Sequence, residues 1–176
     1  MKKIILFGFL LFLPGVFMFG DLITITTNAH YQFIYLELPT RPLVLHTFGI
    51  SGEGFLLMGW GIGGEIGLTF LATFLDNTDF RLMAVMNFGL GGIITSDENS
   101  SLVLSGGIDF LLGDLAMLVA AYVKGKFMLY LNDYIGFDVC VKFACDFYKF
   151  SMPNMMNEMA NFGLSGDIAA GIFFQM

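Results

Sequence analysis

Phe162-Gly163-Leu164-Ser165-Gly166-Asp167-Ile168-Ala169-Ala170-Gly171-Ile172-Phe173-Phe174-Gln175-Met176 closes the chain, and its reading decides the fold. The even positions read Phe, Leu, Gly, Ile, Ala, Ile, Phe, Met, and the odd ones Gly, Ser, Asp, Ala, Gly, Phe, Gln. A period of two is the mark of a strand whose faces meet different surroundings. One face here is greasy to its last residue, and the other carries the only charge. Strands of membrane barrels are written this way, apolar toward lipid and polar or small toward the interior.

The same pattern extends backwards through seven more segments. Ile23–Leu38 sets Ile23, Ile25, Ala29, Tyr31, Phe33 and Tyr35 against Thr24, Thr26, Asn28, His30 and Gln32. Leu43–Met58 sets Val44, Phe48, Ile50, Leu56 and Met58 against Thr47, Ser51 and Glu53. Ile62–Phe74, Phe80–Ile94, Ser101–Leu112, Leu115–Leu131 and Ile135–Phe147 follow suit, the last with Asp138, Lys142 and Asp146 opposed to a row of apolar residues. Pro39-Thr40-Arg41-Pro42, Gly59-Trp60-Gly61, Leu75–Asp79, Thr95–Ser100, Gly113-Asp114, Asn132-Asp133 and Tyr148–Asn161 read as the connections, since proline lacks a ladder donor and short polar or glycine pairs favour turns.

Charge placement argues most strongly for a barrel. Glu53, Glu65, Arg81, Asp109, Lys124, Lys126, Asp138, Lys142, Asp146 and Asp167 all fall on the polar parity of their segments. The other charges after residue 20 lie in connections or at segment ends. Helical packing gives no reason for such a rule. A barrel does, because Arg or Lys on the lipid face costs about 2–4 kcal/mol at the midplane. An eight-stranded barrel has an interior only wide enough for side chains, so these six acids and four bases are expected to pair across it. Setting Phe147 opposite Phe162 would place Lys142 opposite Asp167. Inward glycines (Gly61, Gly63, Gly67, Gly89, Gly91, Gly163 and Gly171) make room for longer partners. Aromatics gather at segment ends in the manner of interfacial girdles: Tyr35, Phe74, Phe80, Phe110, Phe147 and Phe162 at one rim, Trp60, Tyr134 and Phe174 at the other.

Composition agrees with a membrane setting. Hydrophobic residues make up 56% of the chain and charged ones 13%, too few to coat a soluble domain. Beyond residue 20 no uncharged apolar run approaches the ~20 residues that a spanning helix needs, which leaves the closed barrel. Met1-Lys2-Lys3, the uncharged run Ile4–Phe19 and then Gly20-Asp21 form a secretory signal peptide over residues 1–20. Residues 21–176 form the barrel domain. A net charge of −7 without a basic patch argues against nucleic acid. Cys140 and Cys145, about 17 Å apart along one strand and facing opposite ways, are expected as free thiols.

In its signal peptide, eight alternating strands and alternating apolar C-terminus, the chain resembles the small eight-stranded outer-membrane barrels, the class of the OmpA membrane domain, OmpX and OmpW. Members usually end in an aromatic residue; this chain ends in Met176, with Phe174 two positions earlier. The resemblance implies an outer-membrane location, outer-membrane lipid as surroundings, and the barrel-assembly machinery as a partner during biogenesis. It implies no class-wide functional residues.

No catalytic, cofactor or metal residue is assigned. His46 and Glu37 read as rim neighbours without a serine in reach, and His30 as a lumen hydrogen-bonder. Met152, Met155, Met156 and Met159 read as packing, and Gly61–Gly64 lacks the lysine of a phosphate loop. The expected function is a non-enzymatic structural or surface barrel with a charge-filled lumen. The alternative is a narrow channel or transporter for small or apolar solutes. A lipid-modifying enzyme and a small helical membrane protein rank below both.

Overall fold

Period-two alternation becomes eight antiparallel strands: β1 (Gly20–Glu37), β2 (Pro42–Met58), β3 (Ile62–Phe74), β4 (Phe80–Ser96), β5 (Ser100–Gly113), β6 (Met117–Asn132), β7 (Ile135–Phe150) and β8 (Phe162–Gln175). In this computed structural model, residues 20–37, 42–58, 61–74, 80–113, 117–150 and 162–176 are described. Each strand pairs with the next, and β8 pairs back onto β1, so the sheet closes into a barrel. Closure satisfies the backbone within the sheet and leaves no open edge. The closing seam extends to the last residue, where Met176 N donates to Ile23 O at 2.9 Å and Ile23 N to Met176 O at 3.0 Å.

The apolar faces point outward. Leu90, Val123, Phe143, Ile50 and Phe48 are among the most exposed side chains, a wall that water would penalise by about 1.5–3 kcal/mol for each large side chain. The polar parity points inward, and most of its polar residues are buried there. No helix among the described residues is long and apolar enough to cross a membrane.

Several boundaries differ from the sequence reading. The β4–β5 connection is only Asp97–Asn99, because β4 runs on to Ser96 and β5 begins at Ser100. Two features extend them: a register shift between Ile93 and Thr95, and Asp97, whose Oδ1 accepts from the Asn99 and Ser100 amides at 2.9 and 2.7 Å and from Ser100 Oγ at 3.0 Å. The Asn99 amide, then the Ser100 hydroxyl and amide, hold this exposed carboxyl below its ordinary value of 3.8. Likewise β7 continues to Phe150, taking in residues 148–150. A bulge lets pairing resume, with Ala120 opposite Asp146 but Val119 opposite Tyr148. At that irregularity Val119 is buried rather than turned out. Gly61 is a turn residue, not an inward strand position; its φ of 85° suits glycine, and its amide donates to Met58 O at 2.8 Å. The segment assigned as signal peptide lies outside the described residues except for Gly20. Asp114 of the expected Gly113-Asp114 turn, Trp60 and the Met152–Met159 group lie outside them too.

Candidate functional site

Within the barrel the inward side chains form three layers. At the rim where residues 38–41, 75–79, 114–116 and 151–161 connect the strands, the interior is aliphatic: Ile34, Leu36, Leu45, Leu71, Met83, Val85 and Leu118 pack as one buried cluster, with Leu111 against it. At the opposite rim, which holds both ends of the barrel chain, Val103, Met128 and Phe173 pack together with Phe55, Ile93 and Tyr130. Phe173 is fully buried and meets the Tyr130 ring edge-on at 5.2 Å. Outside this floor, a cleft of about 560 Å³ is bordered by Asp97, Glu98, Asp133 and Tyr130.

Between the two apolar layers lie the ionisable groups. Lys124 Nζ is 3.0 Å from Glu53 Oε2 and 2.6 Å from Glu65 Oε1, and Lys126 Nζ is 2.7 Å from the same Glu53 oxygen. Because β6 and β2 are not neighbours in the barrel, these contacts cross its interior. Lys126 also faces Asp138 at 3.8 Å. Glu65 is held by Asn87 Nδ2 at 2.9 Å, Ser105 Oγ at 3.0 Å and Tyr122 OH at 3.0 Å. With its amide turned to donate, Asn28 reaches Asp138 Oδ1 at 3.0 Å. The register sets Lys142 opposite Asp167, yet the ammonium pairs with Asp109 Oδ2 at 2.9 Å and lies 5.4 Å from the centre of the Tyr122 ring. Arg81 and Asp146 are half-buried near the aliphatic rim. A cavity of about 10 Å³ lined by Thr24, Phe55, Glu65, Val103, Lys126 and Met128 has room for about one water.

Missing side chains shape this interior as much as present ones. A Cβ on Gly89 would collide with Tyr122 OH, and one on Gly67 with the Asn87 amide and Glu53 Cγ. Gly163 likewise leaves the space that the Asp146 carboxylate fills, and Gly136 the space of the Phe173 ring. Cys140 is buried and Cys145 half-buried, both as free thiols.

His46 differs from its expected surroundings. Glu37 pairs with Pro42 and His46 with Phe33, so Glu37 and His46 are not cross-strand neighbours. His46 instead meets Tyr31 on the outer wall, Nδ1 to OH at 2.7 Å. His30 lies inside, as its parity requires, and it does have a serine in reach. Its Nε2 is 2.6 Å from Ser51 Oγ, and its Nδ1 is 2.8 Å from Asp167 Oδ2. All three residues are buried. The polar parity of β1, β2 and β8 was readable for each of them; the register that brings them together was not.

No protein-family model matches the chain, and no curated protein matches it. Solved structures do match. The Neisserial surface protein A structure aligns with a TM-score of 0.65 at 8% identity, over 86% of this chain and 96% of that one. Ail, the attachment invasion locus protein of Yersinia pestis, aligns with 0.60 at 9% identity, over 90% and 100%. The outer membrane protein OprG of Pseudomonas aeruginosa aligns with 0.56 at 8% identity, over 90% and 97%. At such identities the likeness is one of fold: a closed eight-stranded antiparallel barrel of the kind found among small outer-membrane proteins.

Proposed function

We propose that this barrel resides in an outer membrane as a structural or surface protein whose lumen is a filled scaffold and not a conduit. The supporting observation is the layering of the interior. An ion-paired middle would by itself admit water and ions at a hydrated mouth. Here aliphatic packing covers it at one rim, and Val103, Met128 and Phe173 at the other. Among the ten inward charges, Glu53, Glu65, Lys124, Lys126, Asp109 and Lys142 then tie together strands that are not neighbours in the barrel, while Asp138 pairs with Lys126 on the adjacent strand. Buried pairs of this sort contribute little net stability compared with apolar packing, but breaking one is costly. That makes them suited to fixing a single register.

Outer-membrane lipid is the medium this exterior fits, and the assembly machinery for such barrels is the expected partner in biogenesis. Residues 1–20 are the signal peptide in this reading, and mass spectrometry of the membrane-extracted protein would show a mature chain beginning near Asp21. Planar-bilayer recording tests the scaffold against the narrow channel. Insertion without unitary current steps is expected. Reproducible steps that scale with inserted protein would establish the channel instead.

A further inference from the structure

The scaffold requires only that the lumen be filled, and does not account for how Ser51, His30 and Asp167 are joined. We propose that Ser51 is a nucleophile toward carboxylic esters with aliphatic acyl chains, activated by His30 and oriented by Asp167. The three side chains come from adjacent strands β2, β1 and β8, whose pairing sets His30 opposite Gly49 on one side and Ala169 on the other. From there the imidazole reaches diagonally to Ser51 and Asp167. Asp167, with both oxygens within 3.1 Å of Nδ1, accepts the hydrogen of Nδ1. That choice of tautomer leaves the Nε2 lone pair to accept from the Ser51 hydroxyl at 2.6 Å. The linkage is the nucleophile, base and orienting acid of acyl transfer.

What surrounds the serine defines the substrate. Toward the loop rim the next inward residue on β2 is Gly49, and Leu71 fills the space above it, its Cδ2 2.8 Å from where a Gly49 Cβ would stand. Leu71 belongs to the aliphatic layer with Ile34, Leu36 and Leu45. A chain that displaces Leu71 would reach the aliphatic layer past Thr47 and Thr73, whose hydroxyls are already taken up by backbone carbonyls, and bring its ester carbonyl to the Ser51 hydroxyl. In the step itself the Ser51 Oγ–acyl carbon bond forms while the Oγ proton passes to His30 Nε2. The carbon–alkoxide bond breaks, and the alcohol leaves with that proton. Water repeats the sequence on the acyl-serine and releases the carboxylic acid.

The test uses the lipid-folded barrel and two fluorophosphonates, decyl and ethyl, with the modified peptide located by mass spectrometry. In the labelling reaction the Oγ–P bond forms, the P–F bond breaks, fluoride leaves, and His30 takes the proton. Folding of every variant is checked by the mobility shift between unboiled and boiled samples. The expected result is phosphonylation of Ser51, faster with decyl than ethyl and faster again in Leu71→Ala. Ser51→Ala removes the label. His30→Gln and Asp167→Asn slow it by roughly tenfold or more. Folded parent and Leu71→Ala barrels that both leave Ser51 unmodified would overturn the proposal. So would labelling that His30→Gln leaves unchanged, and equal rates for the two probes would remove the aliphatic substrate.

Discussion

Lys124 shows how much a single side chain holds in this interior. It bridges Glu53 and Glu65 across the lumen, so Lys124→Met leaves carboxylates buried without that ammonium. A loss of about 3–5 kcal/mol is expected in a denaturant titration of the vesicle-folded barrel. Gly89 makes a complementary case. A methyl there drives Tyr122 OH away from Glu65, and Gly89→Ala should cost about 1–3 kcal/mol as an overpacked core does. Gly64→Ala meets nothing within 4 Å and should leave the same titration unmoved. At this scale the sequence was informative about face and silent about partner. Parity placed Lys142 and Asp167 inward and the assumed Phe147–Phe162 pairing set them opposite one another, but the length of the lysine stem let its ammonium cross to Asp109, leaving Asp167 to His30.

Strands were legible because a two-solvent environment imposes period two on every one of them, and the described turns at Asp97 and Asn132 because their chemistry is local. Asp97 and Asn132 each accept two backbone amides of their own connection. Less legible were bulges, which depend on what the neighbouring strand does. The shift opposite Val119 and Ala120 prolongs β7 to Phe150 and is not announced by the alternation of residues 135–147. Asp97 also carries a pH dependence. Its folded value lies below the unfolded one, so its contribution is complete above the ordinary value of 3.8 and disappears as pH falls through the folded value. Amide exchange at Asn99 and Ser100 should therefore lose protection only on the acid side of that range. On the outer face of β6, Val123→Arg should destabilise the lipid-folded barrel by about 2–4 kcal/mol, whereas a soluble β-barrel would tolerate an exposed arginine.

Across the whole molecule, an apolar exterior, a closed hydrogen-bond ladder and a polar middle capped by two apolar layers form one design, which fits the membrane setting proposed above. The apolar caps were hidden in the sequence. Ile34, Leu36, Leu45, Leu71 and Phe173 sit on the polar parity, where alternation alone predicts polar or small residues. Near the strand ends they are plugs, and only the closed sheet, which brings six different strands' ends to one rim, makes that visible. The most direct test of the membrane-spanning barrel pairs gel mobility of the lipid-folded protein, unboiled and boiled, with far-ultraviolet circular dichroism of the same sample. A heat-modifiable band together with a strand spectrum is the predicted result. A helical spectrum with one unshifted band would contradict the account, and the inward placement of every charge would fall with it.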